Sequence, residues 1–186
     1  MTTRADTLRR LLGQGPTTTR QLIEKLGVSQ PTVSRALKEL GADIVQIGAG
    51  PSIQYALRDG YRGVTPVPIY RVSEHGRVES IGQLIPVRAD GFVMVQDGGA
   101  ALHSDGLPWW LYDMRPQGYL GRAYASTYAA ELGLSTNPDD WSDTEVIKAL
   151  LAHGHDAVGN LLIGTQARSH FLEMPPPSPV VREQAY

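Results

Sequence analysis

The chain of 186 residues contains no cysteine, which excludes disulfides, thiolate metal sites and a thiol nucleophile. Its net charge of −2 is unevenly spread: residues 1–60 hold eight Lys/Arg against five Asp/Glu, and the remainder nine against fourteen. A basic front joined to an acidic rest points to a polyanion partner for the front alone, and the lack of a signal-peptide pattern or an apolar run of about 18 residues makes a cytoplasmic protein without membrane contact the expectation.

Ala5, Leu8, Leu11 and Leu12 recur at helical spacing before the stretch GQGP ends the helix. Thr18 with Gln21 forms a capping box for a second helix whose apolar stripe is Leu22, Ile23 and Leu26, and Gly27 suits its C-terminal turn. Ser29 is placed to cap a third helix, QPTVSRALKEL, where Pro31 is tolerated because a first-turn amide has no partner inside the helix. Val33, Leu37 and Leu40 share one face of it, and Gln30, Thr32, Ser34, Arg35 and Lys38 lie opposite. Two short helices joined by a glycine turn, the second bearing small polar residues and then cations, form a helix-turn-helix. Ser29, Gln30, Thr32, Ser34, Arg35 and Lys38 are therefore the candidate contacts to double-stranded DNA, through base edges and phosphate.

DIVQIGAGPSIQYALR reads as two strands around a glycine turn, with Val45 and Ile47 alternating on one and Ile53, Tyr55 and Leu57 on the other. That completes a winged helix over residues 1–60, although the wing tip carries Ala49 and Pro51 where a cation would help to grip a phosphate backbone. The same fold also serves as a protein-docking module, so the fold alone leaves the ligand open.

Residues 61–68 combine glycine and proline and read as a linker. From Ile69, IYRV and VESIGQLIPV form a hairpin and GFVMVQ a further strand. Helical signals follow: Leu120, Ala123, Tyr124 and Thr127 up to Gly133, then a Ser142–Glu145 capping box leading the stripe Val146, Ile147, Leu150 and Leu151. GNLLIG is a short buried strand and QARSHFLEM a last helix. The fold class expected is α+β: a winged helix-turn-helix, then a small mixed sheet-and-helix domain over residues 69–174. Residues 175–186 read as a proline-rich connector or tail.

No nucleophile elbow, Walker loop, zinc-protease helix or calcium loop is present. His153 and His155 form a close pair without a third ligand nearby and read as a helix-end feature, not a metal site. Asp139, Asp140 and Asp143 suit a solvated loop before a helix N-terminus. In LPWWLYDMRPQG, the side chains of Trp109, Trp110, Leu111 and Tyr112 are expected to be buried between sheet and helix. Arg115 and Gln117, held in a turn by Pro116 and Gly118, suit a fixed domain contact, with Asp113 beside them.

Met114, Pro116, Gln117 and Gly118, followed by Gly154, Asp156, Gly159 and Leu161, make residues 5–172 resemble the N-terminal part of HipA-like toxin kinases, most closely the YjjJ type with its own helix-turn-helix. The resemblance implies a serine/threonine kinase core, with its ATP, Mg²⁺ and catalytic residues, in a further C-terminal part; no catalytic residue and no cofactor is assigned to this chain. It further implies Asp113, Arg115 and Gln117 as contacts to that core. Two functions are expected from it. In one, the chain is the DNA-binding regulatory front of such a kinase, ending before the core; in the other it is a complete antitoxin-like regulator docking on a separately encoded kinase. A homodimer would suit paired half-sites in either case.

Overall fold

The computed structural model describes residues 3–175, so residues 176–186 of the expected proline-rich tail lie outside the described part. Thr3 and Asp6 cap α1 (Arg4–Leu12) reciprocally, and Thr18 and Gln21 do the same for α2 (Thr19–Leu26), which follows the two-residue strand β1 (Thr17–Thr18). After a left-handed Gly27, α3 (Gln30–Leu40) begins. Ser29 holds the cap position of α3, but its hydroxyl pairs with that of Thr32 at 3.0 Å instead of accepting a backbone amide. Leu8, Leu12, Leu22, Val33, Leu37 and Leu40 close the first core, each helix contributing its apolar stripe.

The wing is β2 (Ile44–Ile47) with β3 (Gln54–Leu57), antiparallel, in a sheet of order β1-β3-β2. The second sheet contains β4 (Val67–Val72), β5 (Val78–Val87), β6 (Gly91–Gln96), β7 (Ala101–Ser104) and β8 (Leu161–Ile163), in the order β7-β6-β5-β4-β8, with every neighbouring pair antiparallel. On one face of this sheet, Ile69, Leu84, Phe92 and Met94 pack under α4 (Trp109–Tyr112), α5 (Gly118–Leu132), α6 (Asp143–His153) and α7 (Gly164–Glu173) in a core that includes Leu111, Tyr124, Trp141 and Ile147.

Its other face meets the wing: Ile85, Val87 and Val93 pack against Val45, Ile47 and Ala56. Because strand side chains alternate, the apolar run Leu84–Val87 serves both layers, and the wing sheet is itself covered on two sides. Backbone bonds join the two parts, Arg88 N–H donating to the Leu57 carbonyl at 2.8 Å and Asp59 N–H to Pro86 at 2.9 Å. The buried Asp59 carboxylate pairs with Arg62 at 3.2 Å and Arg88 at 3.6 Å, while the Arg62 guanidinium also donates to the Val87 and Gly91 carbonyls. Residues 61–68, expected as a linker, are therefore anchored: Val64 enters the second core and β4 starts at Val67. Glycine and proline mark where a chain turns, not whether the turn is packed.

Candidate functional site

Two surfaces collect the candidate residues. The first is built on α3, which turns Val33, Ala36, Leu37 and Leu40 inward and leaves Ser29, Gln30, Ser34, Arg35 and Lys38 exposed. Gln30, Ser34 and Lys38 line an open groove of about 900 Å³, with Thr19 and Arg20 of α2 on one side and Gln46, Pro51 and Tyr55 of the wing on the other. Arg20 and Gln46 join the site although neither belongs to the recognition helix; Arg20 also pairs with Glu24 at 3.2 Å, both side chains well exposed. Thr32 is half-buried and faces α1, in a small pocket with Arg4 and Thr7, so it sits apart from the wing groove. The Arg35 guanidinium reaches back to the Pro31 carbonyl at 3.5 Å and stays exposed.

The second surface is a groove of about 430 Å³ between the segment Asp113–Gln117, α5 and the turn Asp156–Val158. Two close approaches shape it. Gly121 of α5 lies so near the loop that a Cβ there would stand 2.5 Å from the Pro116 carbonyl carbon, and Gly159 faces the Met114 side chain, its missing Cβ 3.1 Å from Met114 Cγ. The fold thus joins the two distant stretches Met114–Gly118 and Gly154–Leu161 along one wall.

Asp113 and Gln117 are exposed at this groove, and Gln117 makes no capping bond to α5. Arg115 behaves differently. Its guanidinium donates to the Trp141 carbonyl at 2.5 Å and pairs with Asp143 at 3.4 Å, leaving the side chain 15% exposed. Asp143 in turn accepts the Leu107 amide at 2.9 Å. Arg115, expected to contact a partner, forms an internal clamp that holds the loop against α6, and Asp143 is part of that clamp as well as a first-turn acid.

The expectation of buried rings also changes. α4 is a single turn, so only Leu111 is fully buried and Trp110 partly; Trp109 and Tyr112, three residues apart on the outer face, are 81% and 53% exposed. The indole that fills the core is that of Trp141, whose ring N–H donates to the Ser135 carbonyl at 2.7 Å.

Behind the groove, aromatic rings form a row. Tyr124 meets Tyr128 edge-on at 4.9 Å, Tyr128 stacks on His153 at 4.0 Å, and His155 meets His170 of α7 at 4.8 Å. Burial pushes the Tyr124 phenol up, so it remains a donor, to the Ala149 carbonyl at 3.1 Å. Burial and the hydrogen bond to Asp156 raise Tyr128 too, and burial beside His170 lowers His155. His170 joins His153 and His155 only through the fold, and among the described residues no three His, Asp or Glu are arranged to hold a metal ion.

Residues 64–172, the second sheet with its helices, match the family described as "YjjJ-like toxin, middle domain". The chain belongs to this YjjJ-like toxin family. The YjjJ-like region is preceded by a stretch, residues 3–43, that matches "Bacterial regulatory protein, arsR family", a helix-turn-helix. "Toxin YjjJ" of Escherichia coli (strain K12) is 31% identical over 175 residues, which cover 94% of this chain and 39% of that relative. No solved structure matches. The chain is therefore an α+β protein carrying a DNA-binding helix-turn-helix in front of a YjjJ-like toxin middle domain, and among its described residues no helix is long and apolar enough to cross a membrane.

Proposed function

We propose that the chain is the DNA-binding regulatory front of a HipA-like toxin kinase. Its winged helix binds operator DNA, and its YjjJ-like domain contacts or restrains a kinase core, in cis or in trans, through the face bearing Asp113 and Gln117. ATP, Mg²⁺ and the phosphoryl-transfer residues belong to that core. Two copies would place two α3 helices on paired half-sites.

The observation that carries this reading is the polar face of α3, with Gln30, Ser34 and Lys38 open beside the wing, in a chain aligned to only 39% of a toxin's length. Cations on such a surface neutralise phosphates and release counterions, so affinity falls with salt in proportion to the contacts made. Fluorescence anisotropy with a duplex from the upstream region of its own gene tests the reading. Arg35→Ala/Lys38→Ala is expected to weaken binding and to reduce the slope of log K against log salt by about 2. An unchanged slope removes α3 from the DNA contact.

A further inference from the structure

The groove beside Asp113–Gln117 has a charge and shape that go beyond a generic docking face. Two carboxylates, Asp113 and Asp156, line it. The cation in its wall, Arg115, is already paired with Asp143 and turned onto the Trp141 carbonyl. Asp156 accepts the Tyr128 hydroxyl at 2.8 Å through one oxygen, which fixes its carboxylate at the wall. The shoulders are apolar: Leu120 and Val158, which both line the groove, are 63% and 65% exposed. Carboxylates beside aliphatic side chains match a ligand of opposite charge that also carries apolar groups.

We propose that this groove takes a protein segment carrying an arginine or lysine flanked by aliphatic residues, the cation meeting Asp113 and Asp156 and the aliphatic neighbours covering Leu120 and Val158. The inference rests on the reading that this face docks a core, and it names the chemistry of the docking segment. Partner recognition then depends on two carboxylates outside the DNA-binding part. An arginine would gain more than a lysine, because its planar fork can engage carboxylates in two directions while its stem packs on the apolar shoulders.

The test uses the full chain and three probe peptides: acetyl-Leu-Arg-Leu-amide, the same peptide with citrulline, which keeps the shape and removes the charge, and the same peptide with glutamate. Amide shifts in a ¹H–¹⁵N spectrum are followed at Gln117, Thr127 and Val158. The arginine peptide is expected to shift these signals saturably, with the citrulline peptide at least tenfold weaker and the glutamate peptide without effect. Asp113→Asn/Asp156→Asn, which keeps an acceptor for the Tyr128 hydroxyl, is expected to weaken the arginine peptide at least tenfold while the melting temperature holds. Equal binding of the three peptides, or shifts confined to other surfaces, overturns the proposal. The docking reading is measured separately, by association of the chain with the remaining portion of a YjjJ-like toxin made as a second polypeptide. Association that ignores Asp113→Asn/Asp156→Asn defeats this inference and leaves docking intact; selective peptide binding without any association defeats docking.

Discussion

Removing the Arg115 guanidinium tests whether the Asp113–Gln117 loop is held from inside. In Arg115→Ala the Trp141 carbonyl loses its charged donor at 2.5 Å, and Asp143 loses a partner at 3.4 Å. A hydrogen bond to a charged group contributes roughly 1.5–3 kcal/mol net, and an acceptor left unpaired in a partly buried place costs in the same range. The ion pair adds only about 0.5 kcal/mol or less, because the Asp143 side chain is 36% exposed and still accepts the Leu107 amide. The charged hydrogen bond and the ion pair together come to about 2–3.5 kcal/mol, which for a chain of this size lowers the melting temperature by roughly 4–14 °C. Thermal unfolding followed by circular dichroism reads the shift directly. Arg115→Lys, which keeps the charge without the planar fork, is expected to recover part of the loss. A melting temperature within about 2 °C of wild type for Arg115→Ala would refute the clamp and return Arg115 to the docking surface.

Gly121→Ala sets two effects against each other: alanine gains about 1 kcal/mol of helix propensity, whereas its Cβ would sit 2.5 Å from the Pro116 backbone, an overpacking of about 1–3 kcal/mol or more. Net destabilisation together with loss of arginine-peptide binding is expected, and a stabilised variant would show that the loop yields freely. Trp109→Ser and Tyr112→Ser are expected to change unfolding free energy by no more than about 0.5 kcal/mol, as at other surface sites, and a loss of several kcal/mol in urea titration would mean that these rings are buried. For pH, the folded-state value of His155 lies below its unfolded value near 6.5, so as pH falls the unfolded chain takes up the proton first. Stability is therefore full above about pH 6.5 and declines as pH drops from there toward the folded-state value. Melting curves between pH 7.5 and 5.5 check this, His155→Gln being expected to flatten the decline; an unchanged pH profile in that variant would assign it to other groups. Asp6 and Glu145, whose acidities are increased by hydrogen bonds from Thr3 and Ser142, lose their contributions only at lower pH, in the carboxylate range.

Much of the fold is legible in the chain because it is local. The capping boxes at Thr18–Gln21 and Ser142–Glu145 form as read, since donor and acceptor lie three residues apart and need no other element. The apolar stripes of α2, α3 and α6 turn inward at helical period for the same reason. The strand β7 escaped the reading: Ala101–Ser104 is short, its one large apolar side chain, Leu102, is exposed, and its pairing with β6 establishes it as a strand. The Leu84–Val87 run held a signal that could have been used, because an unbroken apolar stretch in a strand means burial on both faces.

The candidate site divides along the same line. Sequence alone determined most of the exposed face of α3, where residue type and spacing fix local geometry, whereas the turn expected around Pro116–Gly118 falls at Asp113–Arg115 and Gly118 already opens α5. Tertiary structure decided what those residues face. Arg115 meets Trp141 and Asp143, 26 and 28 positions away, and His155 meets His170 of α7. Trp109 turns to solvent because Leu111 occupies the inward side of a one-turn helix. A side chain's partner across more than one turn depends on how layers stack, and stacking is settled by the packing of all the elements together.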